Sequence, residues 1–165
     1  MALEIERRFL IKNDNWKEFI TKKIYIEQGY LSKSLDDWII RVRFTGKDSK
    51  IALKKHIKGF TNFEFEYSIP RSDAETIMSN LSNKIKKDRF FLEIEKKSWI
   101  IDCFKENNYP LEIAEIELSE EKEAIKIPSF ISKEITGQMQ FSNLSLSTYP
   151  FSIWEKDDLP SLYNN

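Results

Sequence analysis

Residues 3 to 11 read Leu3-Glu4-Ile5-Glu6-Arg7-Arg8-Phe9-Leu10-Ile11, and their side chains alternate with a period of two. As an extended strand, the stretch sets Glu4, Glu6 and Arg8 on one face and Leu3, Ile5 and Phe9 on the other. On a lone strand such a charged face is an ordinary half-solvated surface. The fold therefore turns on whether other strands repeat the pattern.

They do. Arg41 and Arg43 alternate with Ile40, Val42 and Phe44, and Lys54 and His56 oppose Ile51 and Leu53. Glu64 and Glu66 oppose Phe63, Phe65, Tyr67 and Ile69, while Lys87 and Arg89 alternate with Phe90 and Leu92. Asp102 lies between Ile101 and Cys103, and Glu115 and Glu117 alternate with Ala114, Ile116 and Leu118. Strands are predicted over 2–11, 23–32, 38–46, 50–57, 61–69, 86–95, 98–106 and 109–118. Turn signals at Gly46-Lys47-Asp48-Ser49, Lys58-Gly59 and Asn107-Asn108-Tyr109-Pro110 make neighbours antiparallel.

Helical signals are fewer. Ser72-Asp73-Ala74-Glu75 reads as a capping box before Ile77, Met78, Leu81 and Ile85, which predicts a helix over 72–84. Weaker helical segments cover 15–19, 119–125, 129–135 and 144–147. The fold class is α+β and mainly antiparallel β: eight strands closed into a barrel, with its charged stripe lining a tunnel and helices packed outside. Residues 1–154 form a single domain, and 155–165 read as a loosely ordered tail.

The composition bounds the rest. In 165 residues, 41% hydrophobic and 13% aromatic content gives one ordinary folded domain. Twenty-six basic residues against 27 acidic ones leave a net charge of -1, so no global field favours nucleic acid or an anionic membrane. Cys103 is the only cysteine, which suits a reducing compartment and a packed thiol rather than a nucleophile. With no basic leader and no long apolar run, a cytoplasmic location is expected.

A closed barrel brings Glu4, Glu6, Glu64, Glu66, Asp102, Glu115 and Glu117 together with Arg8, Arg41, Arg43, Lys54, Lys87 and Arg89. Crowded carboxylates call for cations and crowded basic groups for an anion. A divalent metal on the carboxylates and an oligophosphate on the Arg and Lys groups answer both demands. No Gly-x-x-x-x-Gly-Lys-Ser/Thr loop occurs among only four glycines, which excludes a P-loop enzyme. His56 has no Cys or His partner at zinc-ligand spacing.

In order along the chain, Glu4-x-Glu6, Gln28-Gly29-Tyr30-Leu31, Arg41-x-Arg43, Ala52-Leu53-Lys54 and Glu64-x-Glu66 resemble the CYTH family, or triphosphate tunnel metalloenzymes. The resemblance continues through Lys87-x-Arg89, Asp102, Glu115-x-Glu117, Lys133-Glu134-Ile135-Thr136 and Phe141-Ser142-Asn143. It implies an eight-stranded tunnel that hydrolyses inorganic tripolyphosphate or a nucleoside triphosphate with Mg2+ or Mn2+. The tripolyphosphatase-like branch is the most similar. By the same resemblance, Glu4, Glu6, Glu115 and Glu117 hold metal, and Asp102 helps place a second metal or the attacking water. Arg8, Arg41, Arg43, Lys54, Lys87, Arg89 and Lys133 bind phosphate, Lys87, Tyr30 and Asp102 are catalytic, and Glu64 and Glu66 support the basic groups.

Two features depart from the family pattern. Arg8 stands where the first motif usually has Lys, and a guanidinium does not lose its proton at neutral pH. Gln138 and Gln140 replace an acid and an arginine carried by many relatives. An adenylate cyclase of the same family and a low-activity polyphosphate- or nucleotide-binding protein are the alternatives. The expected partner is a small triphosphate or polyphosphate, and a homodimer stays open.

Overall fold

The computed structural model describes residues 3–32, 37–155, 160 and 163. Nine strands form one antiparallel sheet: β1 Leu3–Ile11, β2 Ile20–Tyr30, β3 Ile39–Thr45, β4 Asp48–Lys58, β5 Thr61–Ser68, β6 Lys84–Ile94, β7 Lys97–Phe104, β8 Glu112–Glu117 and β9 Ile131–Glu134. Their order is β5-β4-β3-β2-β6-β7-β8-β1-β9, and a further β1 to β5 pairing closes the first eight into a barrel. The alternation in the sequence thus becomes an inside and an outside. Every expected strand is present, with no boundary more than three residues off.

β1 is the closing strand, and it divides one edge between two partners. Leu3 to Ile5 pair with Phe63 to Thr61 of β5, whereas Phe9 and Ile11 pair with Glu134 and Ile131 of β9. Its other edge pairs with β8, placing Glu6 opposite Glu117 and Arg8 opposite Glu115. Between β5 and β9 the barrel has a seam.

Two helices pack against this frame, α1 Arg71–Ser79 and α2 Asn143–Thr148, together with 3-10 turns at Asp14–Phe19, Glu106–Asn108, Met139–Phe141 and Phe151–Ile153. Two outer cores bury the apolar stripes. The larger joins Phe9, Leu92, Trp99, Ile101 and Ile116 to Trp16 and Phe130. The smaller seats α1 through Ala74 and Met78 on Val42. A Cβ at Gly29 would lie 2.8 Å from Leu81 Cδ1 and Met78 Sδ, so those side-chain ends would have to shift to admit one.

The third core lies at one end of the barrel. Leu10, Ile85, Phe104 and Ile113 share the inward parity of the charges, and they meet Phe141, Leu146, Phe151 and Trp154 in one buried cluster. The segment around α2 therefore plugs one end of the barrel. The charged tunnel has a floor at that end.

Three helical expectations are corrected. Residues 129–135 contain β9 rather than a helix, since the unpaired edge of β1 offers Ile131–Glu134 a ladder that outweighs local preference. Residues 119–125 form turns, held by Glu123 accepting from the Ser119 backbone N–H at 2.7 Å and Glu121 accepting from the Thr61 hydroxyl at 2.7 Å. The helix expected over 72–84 is α1, which is capped by Pro70 without a side-chain bond and stops at Ser79, leaving Ile85 to β6. The weaker helices expected over 15–19 and 144–147 correspond to the 3-10 turn at Asp14–Phe19 and to α2. Most of the tail expected over 155–165 lies outside the described residues, although Tyr163 stacks edge-on against Phe151 at 5.0 Å between ring centroids.

Candidate active site

The inward faces of β1, β3, β4, β6, β7 and β8 surround a cavity of about 130 Å3, lined by Glu4, Glu6, Arg41, Arg43, Lys54, Arg89, Glu115 and Glu117 with Ile100 and Asn143. Ion pairs divide its wall into two networks. Near β4 and β5, Lys54 bridges Glu4 and Glu6, Arg41 pairs with Glu64 at 2.6 Å, and Arg43 pairs with Glu66. Glu64 and Glu66 on β5 thus brace the two arginines of β3 across the intervening β4.

The second network lies deeper. Arg89 donates two bonds of 2.7 Å to Asp102 and a third of 3.0 Å to Glu115. Lys87 donates to Asp102 and, at 3.1 Å, to Asn143 at the start of α2. Arg8 donates from Nε to Glu115 at 3.1 Å and from Nη2 to the Phe141 carbonyl at 3.0 Å. The arginine that departs from the family motif thereby ties the barrel wall to the plug.

The electrostatics separate these groups. Burial raises the Glu4 carboxyl to about 8, reinforced by Glu6 and only partly countered by Lys54. Burial also pushes Glu6 up, but Lys54 and Arg8 outweigh it and bring Glu6 below its ordinary value. At Asp102, burial is overridden by Arg89 and Lys87, so that carboxylate stays ionised. Burial lowers Lys87 to about 8 despite Asp102, and raises the Tyr30 phenol to about 12, where it remains a proton donor.

Several polar atoms are left for a ligand. Glu64 Oε2 accepts no hydrogen bond and Arg41 Nε and Arg43 Nε donate none, whereas Glu4 Oε2 is taken by Lys54. Glu6 and Glu117 face each other across β1 and β8, a like-charge pair that a bound cation would relieve. The donor set is hard oxygen, which suits a divalent metal of the magnesium type. Among the described residues no three acidic or histidine side chains form a ready-made metal cluster.

Most of the sequence-predicted residues meet in this interior. Tyr30 is buried beside Gln28, whose amide donates to the phenol oxygen at 2.5 Å. Lys133 does not join them, because it is exposed on β9, which lies outside the barrel wall. Asn143 and Gln28 lie in segments that carry the family resemblance, but the sequence assigned neither a role in the site. The signal for Asn143 was a polar residue after the capping Ser142, set among Phe141, Leu144 and Leu146.

No protein-family model matches the chain. Over 153 residues, covering 92% of this chain and 97% of the relative, it is 33% identical to an inorganic triphosphatase of Acetivibrio thermocellus. The crystal structure of the inorganic triphosphatase NE1496 superposes with a TM-score of 0.66 at 24% identity, covering 89% of this chain and 95% of that one. HpAC1 from Hippeastrum, for which a dominant triphosphatase activity is stated, superposes with a TM-score of 0.54 at 13% identity, covering 73% and 80%. At these identities the two structures speak for the fold alone.

Proposed function

We propose, since the chain belongs to the CYTH family of triphosphate tunnel metalloenzymes, that it hydrolyses phosphoanhydride bonds in small triphosphate substrates. The observation that carries this reading is the cavity whose wall sets Glu4, Glu6, Glu115 and Glu117 beside Arg41, Arg43, Lys54 and Arg89. Arg41, Arg43, Lys54 and Arg89 would bind phosphate oxygens, and their fixed charge would favour the transition state, in which charge builds on the leaving group. Glu64, Glu66 and Asp102 hold the three arginines in place and Glu4 and Glu6 hold Lys54, so little reorganisation accompanies substrate binding.

Glu4, Glu6, Glu115 and Glu117 would hold a divalent ion, Mg2+ or Mn2+, which supplies charge neutralisation and an acidified water when bound. Asp102 is engaged by Arg89 and Lys87, so its contribution to the site runs through them. Lys87 orients Asn143 at the floor, and its proton, like that of Glu4, is held near neutral pH. Tyr30 keeps its proton and would donate a hydrogen bond to a phosphate oxygen. We place the protein in the cytoplasm, with a small-molecule substrate and no nucleic-acid partner, a reading supported by its net charge of -1. Among the described residues no helix is long and apolar enough to cross a membrane.

Phosphate release from inorganic tripolyphosphate with Mg2+ or Mn2+ tests the proposal. Release that stops with a chelator is expected. Tight binding of tripolyphosphate without release would overturn it, and cyclic AMP formed from ATP would redirect it to a lyase.

A further inference from the structure

The inward stripes of four strands stack in layers. Leu10, Ile85, Phe104 and Ile113 meet the plug, and two residues along each strand toward the cavity stand Arg8, Lys87, Asp102 and Glu115. Two residues further come Glu6, Arg89, Ile100 and Glu117, all of which line the inner cavity. A charged layer thus rests directly on the floor.

That layer is bonded largely within itself. Arg8 and Arg89 donate to Glu115, Lys87 and Arg89 donate to Asp102, and Lys87 and Asp102 are almost completely buried. Asn143 joins it from the plug, accepting from Lys87 at 3.1 Å and lining the inner cavity. A lysine ammonium has hydrogens alone to offer, so its contact must be the Asn143 carbonyl oxygen Oδ1. Among the described residues that contact is the one hydrogen bond the Asn143 side chain makes. Its amide Nδ2 is left as a donor at the floor, which suits an anion rather than a metal ion.

We propose that Asn143 is a specificity-determining residue: its Nδ2 donates to an oxygen of the innermost phosphate, and the plug behind it admits a triphosphate only by an unesterified end. The inference rests on the triphosphatase reading above. Arg41, Arg43 and Lys54 attract any phosphate chain and do not tell its ends apart. Asn143 does, because an alkyl group on the innermost phosphate needs room at the floor. There Phe141, Leu144 and Leu146 are buried on either side of Asn143 in the chain, and the cavity holds about 130 Å3 in all. A free terminal phosphate needs no such room.

The test measures cleavage of tripolyphosphate, its monomethyl ester and its P1,P3-dimethyl ester with Mg2+ in wild type, Asn143→Ala and Asn143→Asp. Both variants are checked for native circular dichroism. Aspartate keeps an oxygen for Lys87, so it removes the amide donor without removing that contact. Wild type should cleave the monomethyl ester at least about 50-fold better in kcat/KM than the dimethyl ester, since one free end suffices. KM for tripolyphosphate should rise about 10-fold in both variants with kcat within about 3-fold, the mark of a binding contact. In Asn143→Ala, which opens space at the floor, the preference between the two esters should fall below about 5-fold. An unchanged KM in either folded variant, an ester preference unmoved in Asn143→Ala, or wild type that cleaves both esters alike overturns the inference. Absence of tripolyphosphate turnover in wild type instead defeats the hydrolase reading beneath it.

Discussion

At the scale of single residues, the interior is governed by how far each buried charge is offset by its neighbours. Glu4, raised to about 8 by burial and by Glu6, binds a proton in the folded state that the unfolded chain releases near 4.5. Its contribution to stability is fully present below pH 4.5 and is lost as pH rises through 8. Thermal melts across that window should show wild type losing stability relative to Glu4→Gln, and a flat difference would contradict the placement. Added Mg2+ at pH 7 should raise Tm in wild type more than in Glu4→Gln, because the ion replaces that proton. Arg8 makes a different prediction. Arg8→Lys keeps the charge but cannot reach both Glu115 and the Phe141 carbonyl, so it should cost about 1–2 kcal/mol in a denaturant melt. A melt indistinguishable from wild type would mean that the tie to the plug contributes nothing.

At the scale of elements, α1 and α2 have separate tasks. α1 covers the barrel wall, and Gly29→Ala should lower stability by about 1–3 kcal/mol, since the new methyl meets Met78 and Leu81 at 2.8 Å. α2 closes the floor. Leu146, fully buried there, should cost about 2–5 kcal/mol on truncation to alanine, measured by urea unfolding. Much of this level was legible in the sequence, for a physical reason. Alternation of charge and hydrophobicity is local, so Glu4, Glu6, Arg41, Arg43, Lys87, Arg89 and Glu115 announced both their strands and their shared face. β9 was not legible, because what makes Ile131–Glu134 a strand is an edge of β1 more than a hundred residues earlier. The plug was hidden likewise, since Leu10, Ile85, Phe104 and Ile113 share the parity of the charges and only their common depth distinguishes them.

At the scale of the whole molecule, the outer core and the plug share β1, through Phe9 and Ile11 on one side and Leu10 on the other. Heating should therefore give one transition, with Trp16 and Trp99 in the outer core and Trp154 in the plug losing their native fluorescence together. Separate transitions in single-tryptophan variants would show the plug to be an independent unit.

The divided edge of β1 also sets an order in time. β1 precedes all of its partners in the chain, pairing Leu3 with Phe63, Glu6 with Glu117 and Phe9 with Glu134. At the usual pace of translation, on the order of ten seconds separate the synthesis of β1 from that of β8. During that interval the strand bearing Glu4 and Glu6 leaves the ribosome with its β8 edge bare. Its two carboxylates and two arginines favour a solvated edge while it waits, so Glu4, Glu6 and Arg8, later enclosed in the barrel, would first guard a nascent chain against mispairing.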